Sequence, residues 1–161
     1  MKERANVSNV NYGKTILITG AGGLLGGELI RQLTCESDYK ILALTSDKNK
    51  LMSRFPNVNQ LECYSIDEFE DRKIHWGKVD ILIHCAFARV SIGEELADSL
   101  NFAGKVFQIA HKERVSSIIN ISSKSVYGSK YKPLWVETTP VAPETLYAMA
   151  KYSSELLLRS I

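Results

Sequence analysis

Cysteine and proline are scarce in this chain, with three and four residues respectively among 161. Cys35, Cys63 and Cys85 lie in or beside apolar segments and form no CxxC pair. That spacing gives neither a disulfide framework nor a metal site, and it reads as three reduced core thiols. No apolar run approaches the roughly 20 residues that span a bilayer. The polar start, Met1 to Tyr12, lacks the apolar stretch of a secretory signal. No membrane partner is expected, and the expected location is the cytoplasm. Charge of one sign is also lacking: the net charge is +2 and no block of Lys and Arg dominates any segment. Nothing electrostatic recruits nucleic acid.

What remains is an ordinary globular composition, 45% hydrophobic and 24% charged, with no repeat and no low-complexity tract. Residues 1–13 read as a flexible segment and 14–161 as one domain. Apolar strand-like runs recur at Thr15–Thr19, Lys40–Thr45, Gln60–Tyr64, Asp80–Cys85 and Ser117–Ile121. Helical periodicity marks Leu24–Cys35 and Glu94–Glu113, with shorter helical or loop-like pieces at Asp47–Phe55 and Asp67–Trp76. A last helical pattern over Glu144–Ile161 runs through Leu146, Ala150, Ser154, Leu157 and Leu158, after a long connection marked by Pro133, Pro140 and Pro143. Strands alternating with helices predict an α/β fold: a doubly wound parallel sheet of about five strands.

The sharpest local signal is Gly20-Ala21-Gly22-Gly23-Leu24-Leu25-Gly26, which ends the first strand and opens the first helix. Gly20, Gly23 and Gly26 allow a sharp turn, close backbone approach to a pyrophosphate, and tight packing of helix on strand. The helix start, with Leu24 and Leu25, supplies backbone N–H groups and the positive end of a dipole. A dinucleotide cofactor is expected. An NAD site places Asp or Glu at the end of the second strand, where it takes the ribose hydroxyls. Thr45 and Ser46 stand there instead, so nothing repels a 2′-phosphate, and Lys48 or Lys50 can neutralise one. The reading favours NADP; Asp47, close by, keeps NAD open.

Tyr147 and Lys151 are four residues apart, on one face of a helix, where the ammonium can draw down the phenol's pKa. Ser123 follows the fifth strand at the carboxyl edge, where open α/β sheets bind ligands. A hydroxyl there can hold a substrate oxygen.

Taken with their order, these motifs resemble the extended short-chain dehydrogenase/reductase family, the NAD-dependent epimerase/dehydratase group. Thr19 to Gly26 is similar to its fingerprint, His84-Cys85-Ala86 to its H-x-A, and Ser122-Ser123-Lys124-Ser125-Val126-Tyr127-Gly128 to its S-S-x-x-V-Y-G; Pro143, Tyr147 and Lys151 follow its P-x-x-x-Y-x-x-x-K. The resemblance implies a Rossmann-type cofactor portion in which Tyr147 is the acid/base, Lys151 binds the nicotinamide ribose, and Ser123 polarises the substrate oxygen. It adds Ala86 to the cofactor site and makes Asp67 a candidate near adenine. Asn101 becomes a relay or packing residue and Tyr127 a residue near the substrate mouth or in the core, while His84 reads as a buried strand-end imidazole. It further implies a sugar nucleotide or related carbonyl substrate and a homodimer built on the helices over 94–113 and 144–161.

Two departures shape the expectation. Sugar-nucleotide 4,6-dehydratases of the family carry Asp-Glu directly after the catalytic serine or threonine, where this chain has Lys124 and Ser125. Dehydration is disfavoured, leaving epimerisation or carbonyl reduction. The family's smaller C-terminal substrate domain has no counterpart in 161 residues. The competing expectation is a non-catalytic dinucleotide-binding or regulatory module.

Overall fold

The computed structural model describes residues 12–35, 38–89, 92–130 and 134–161. Most of the expected flexible segment and Pro133 lie outside those residues. Five strands alternate with five α-helices: β1 (Lys14–Thr19), α1 (Leu24–Cys35), β2 (Tyr39–Leu44), α2 (Lys48–Arg54), β3 (Leu61–Tyr64), α3 (Ile66–Glu70), β4 (Ile81–His84), α4 (Gly93–Lys112), β5 (Ser117–Asn120) and α5 (Leu146–Arg159). Short 3₁₀ turns at Trp76–Lys78 and Lys124–Tyr127 interrupt the connections to β4 and α5. All strand pairs are parallel in the order β3-β2-β1-β4-β5. The chain reverses its direction of winding between β1 and β4, which opens a crevice at their carboxyl ends.

Both faces of β1 are apolar, and the strand period of two sorts them into two cores. Ile16 and Ile18 join Ile30 of α1 and Leu51 of α2 on one side. Leu17 joins Val106, Phe107 and Ala110 of α4 on the other, with Phe69 and Trp76. Register follows from this: Ile16 aligns with Ile41 and Ile81, and Ile18 with Ala43 and Ile83.

Caps explain the short helices that composition leaves ambiguous. The Asp47 side chain accepts the Lys50 N–H at 2.9 Å and starts α2. Ser65 and Glu68 close a reciprocal capping box at α3. Thr145 Oγ1 accepts the Ala148 N–H at 3.1 Å and starts α5.

Two expectations need correction. Cys35 is exposed rather than a core thiol, because it sits on the last turn of α1 beyond the apolar stripe; Cys63 and Cys85 are half-buried, and all three are free. On α5 the buried face runs through Ala148, Ala150, Lys151 and Ser154, whereas Leu146 and Leu157 are exposed. Ser154 can enter the core because its hydroxyl donates to the Lys151 carbonyl at 2.7 Å and accepts from Asn120 Nδ2 at 3.1 Å. Among the described residues no helix is long and apolar enough to cross a membrane.

Replacing Phe107 by Ala should cost about 3–5 kcal/mol, because its side chain is fully buried between α4 and the sheet. Leu146→Ala should stay within about 0.5 kcal/mol. Urea unfolding of the two variants checks this assignment of faces; equal losses would contradict it.

Candidate cofactor and catalytic site

Thr19 closes β1 and governs the crevice. Its hydroxyl lies 2.8 Å from His84 Nδ1 and accepts the Ala86 N–H at 3.4 Å. His84 is 1% exposed, and burial pushes its pKa down to about 4, so it is a neutral structural group.

Gly20 then turns with φ of 66°, and a Cβ there would sit 2.7 Å from the Ala86 nitrogen. Glycine alone satisfies both demands. A Cβ on Gly26 would strike the Gly20 carbonyl oxygen, so the first turn of α1 lies directly on the β1 turn. Gly23 N–H donates to the Gly20 carbonyl at 3.0 Å. The amides of Leu24, Leu25 and Gly26 open α1 without an intrahelical acceptor, and the exposed Leu24 and Leu25 side chains line neither lobe of the crevice but a neighbouring cavity with Arg31 and Arg54. This backbone cradle suits a pyrophosphate.

Two cavities meet at Gly20, Thr45 and Ser46. The smaller, about 190 Å³, is polar and includes Gly22, Gly23, Asp47, Lys50 and Arg54 in its wall. The larger, about 430 Å³, is mainly apolar, with Ile66, Ala86, Phe87, Ala88 and Phe102. A polar lobe beside an apolar slot fits the ribose phosphate and the base of a dinucleotide.

Thr45 is buried at 4% exposure, its Oγ1 accepting the Asp47 N–H at 3.3 Å. Lys48 turns away to pair with both carboxylate oxygens of Glu68 at 2.8 Å and lines neither lobe. The cations in the polar lobe are Lys50 and Arg54. Sequence reasoning missed Arg54: its Nη1 donates to the Gly22 carbonyl at 3.0 Å across 32 residues, and only the absence of a side chain at Gly27 leaves room for the guanidinium. Asp67 is exposed and also lines neither lobe, while its neighbour Ile66 does.

Beyond the apolar lobe stands α5. Lys151 is 4% exposed, donates to the Ile121 carbonyl at 2.8 Å, and lies 4.0 Å from the centre of the Phe87 ring. Burial draws its pKa down to about 8, partly offset by Cys85 and Glu155. Phe87 also meets the Tyr147 ring edge-on at 6.2 Å. A residue that no motif marked thus borders the slot, Tyr147 and Lys151 together. Ser123 caps the 3₁₀ turn after β5, accepting the Ser125 N–H at 3.2 Å and lying 2.7 Å from the Ser125 hydroxyl. Among the described residues, the Tyr147 hydroxyl bonds to neither Ser123 nor Lys151. Tyr127 stacks on Trp135 with centroids 5.8 Å apart, and Asn101 is exposed on α4.

Phe87→Ala should admit water and return the Lys151 pKa from about 8 towards 10.5, visible in an NMR titration of the lysine ε-carbon. Because the folded chain holds this proton less tightly than the unfolded one, the unfolded state binds more protons between about pH 8 and 10.5. Stability from Lys151 therefore rises with pH through that window. The rise should flatten in Phe87→Ala, as read by urea midpoints at pH 8 and pH 10; an unaltered rise would refute the assignment.

Comparison with known proteins agrees with this architecture. Residues 16–161 match the model of the NAD dependent epimerase/dehydratase family. The spore coat polysaccharide biosynthesis protein SpsK of Bacillus subtilis is 29% identical over 149 residues, covering 89% of this chain and 48% of SpsK. The dTDP-glucose 4,6-dehydratase of Streptomyces griseus is 26% identical, covering 88% and 48%. Among solved structures, the UDP-Glc/GlcNAc 4-epimerase of Campylobacter jejuni superposes with a TM-score of 0.80 at 22% identity, covering 92% of this chain and 49% of the other. WbmG of Bordetella bronchiseptica, solved with NAD and UDP, gives 0.74 at 24%, covering 89% and 48%. The chain spans about half the length of the curated relatives it matches. A sheet ordered about Gly20, the glycine cradle and the family match together make this chain a member of the NAD-dependent epimerase/dehydratase family.

Proposed function

We propose that the chain is the cofactor-binding portion of an NAD(P)-dependent sugar-nucleotide epimerase or carbonyl reductase, with Ser123, Tyr147 and Lys151 at its reaction centre. The observation that carries this reading is Phe87, which lines the apolar lobe and touches both Tyr147 and Lys151. It links the cofactor crevice to the proton-handling residues. The bound nicotinamide would supply or accept hydride. Tyr147 moves the hydroxyl proton, Lys151 favours its phenolate by charge, and Ser123 holds the substrate oxygen. The sugar-nucleotide class is carried over from relatives such as the UDP-Glc/GlcNAc 4-epimerase. Lys124 and Ser125, standing where the dehydratases carry two carboxylates, argue against elimination of water.

NADP is the favoured cofactor. Lys50 and Arg54 put two cations against the single carboxylate of Asp47 in the polar lobe, and that carboxylate is already engaged in capping α2. A homodimer belongs to the same proposal: Leu156 and Leu157 of α5 are exposed beside α4. The second reading, a dinucleotide-binding module without turnover, draws on Lys151, whose ammonium is bonded to Ile121 rather than to Tyr147.

Calorimetric titration with NADPH and NADH tests the cofactor reading. Arg54→Ala should weaken NADPH about tenfold, the value of one charge-assisted hydrogen bond, and leave NADH within about twofold. Equal losses for both would return the site to NAD. Tyr147→Phe should keep cofactor affinity while lowering C4 inversion of a UDP-hexose, followed by NMR, by about 10²–10⁴.

A further inference from the structure

We propose that a second cavity, floored by Trp76 and rimmed by Arg72, Lys78 and Lys112, binds a small organic anion: an aromatic or short apolar body carrying a carboxylate, sulfonate or phosphate. The cavity measures about 480 Å³, within the usual range for small-molecule sites. It lies where the chain enters β4 and β5, so it opens at the amino ends of the strands, across the sheet from the dinucleotide crevice. It is independent of the cofactor reading.

The floor is built by Phe69, Ile74, Trp76 and Ile109. Phe69 and Trp76 meet edge to face at 6.4 Å and are 4% and 7% exposed, so the base is rigid and dry. The rim is the opposite. Arg72, Lys78 and Lys112 are exposed, and none has a carboxylate within 4.0 Å among the described residues. Lys73, beside Arg72, and Lys105, bonded to Glu70 next to Phe69, are ion-paired, whereas these three rim cations are not. Glu113 shares the rim, and three cations against one carboxylate leave an excess of two positive charges. His75 adds a ring N–H donor.

The dipole of α4 accounts for Lys112 in its last turn, but it does not account for Arg72. Arg72 has φ of 57°, in the left-handed cap that follows α3, where its N–H donates to the Phe69 carbonyl at 3.0 Å. Glycine holds that conformation without strain, and a side chain there costs about 1 kcal/mol. Arg114, the residue after Glu113, repeats the pattern at the end of α4 with φ of 59°. Arginine thus occupies the glycine position in both loops that border the cavity. A dry aromatic floor beneath unpaired cations is the arrangement that retains an anion by its head and its body together.

The probe is 1-anilinonaphthalene-8-sulfonate, read by energy transfer from Trp76 in a Trp135→Phe background that leaves one tryptophan. Saturable binding is expected. The uncharged N-phenyl-1-naphthylamine should bind about tenfold more weakly, as should the sulfonate to Arg72→Gly and to Lys112→Ala. Arg72→Gly should melt at or above the parent temperature, separating lost recognition from lost fold. Saturating NADPH should leave the titration unchanged. Equal affinity for the charged and neutral probes, affinity within twofold in both variants, or displacement by NADPH would each overturn the proposal.

Discussion

The fold depends on one close approach: the backbone of Gly20 against that of Ala86, held by Thr19. Without a side chain at position 20, β1 and β4 can stay paired up to Thr19 and His84 and then diverge at once. The Thr19 hydroxyl ties both sides of the divergence, reaching His84 on one strand end and the Ala86 amide just beyond it. Gly26 brings α1 down onto the same point. Both lobes of the crevice share Gly20, so their relative placement is set by backbone atoms rather than mobile side chains.

This organisation divides labour between the two ends of the sheet. At the carboxyl ends, loops carry polar and small residues and leave backbone groups unspent. The polar chain from Thr19 through His84 on β4, and from Asn120 on β5 to Ser154 on α5, runs beneath that edge. His84 Nε2 and Asn120 Oδ1 are buried without partners among the described residues, on side chains at paired positions of adjacent strands. At the amino ends, by contrast, aromatic residues close the core and cations stand unpaired around it.

Much of this was legible in the sequence. The five strands and the bounds of α1 follow from apolar runs cut by glycine, and the dinucleotide cradle from glycine spacing after a strand. What failed was whatever depends on partners far along the chain. Lys48 looks like a phosphate ligand until Glu68, twenty residues on, folds back across β3 to neutralise it. Arg54 and Phe87 belong to no motif, and only the packing of α2 on α1 and of the β4 loop on α5 brings them to the crevice. On α5 the apolar pattern includes Ala150 and Ser154, which are buried, and Leu146 and Leu157, which are not; Lys151, outside that pattern, joins the buried face because the Ile121 carbonyl satisfies it.

Gly27 has no turn to make, and its value lies in space it does not fill. The Arg54 guanidinium rests where a methyl group at position 27 would stand, and the obstructed atoms are the free end of a flexible side chain rather than backbone. Enlarging that glycine would leave the helix intact and expel the cation from its berth over Gly22. The charge presented to whatever occupies the polar lobe is therefore adjustable from outside it, by one carbon on a neighbouring helix, with no ligand-contacting residue exchanged.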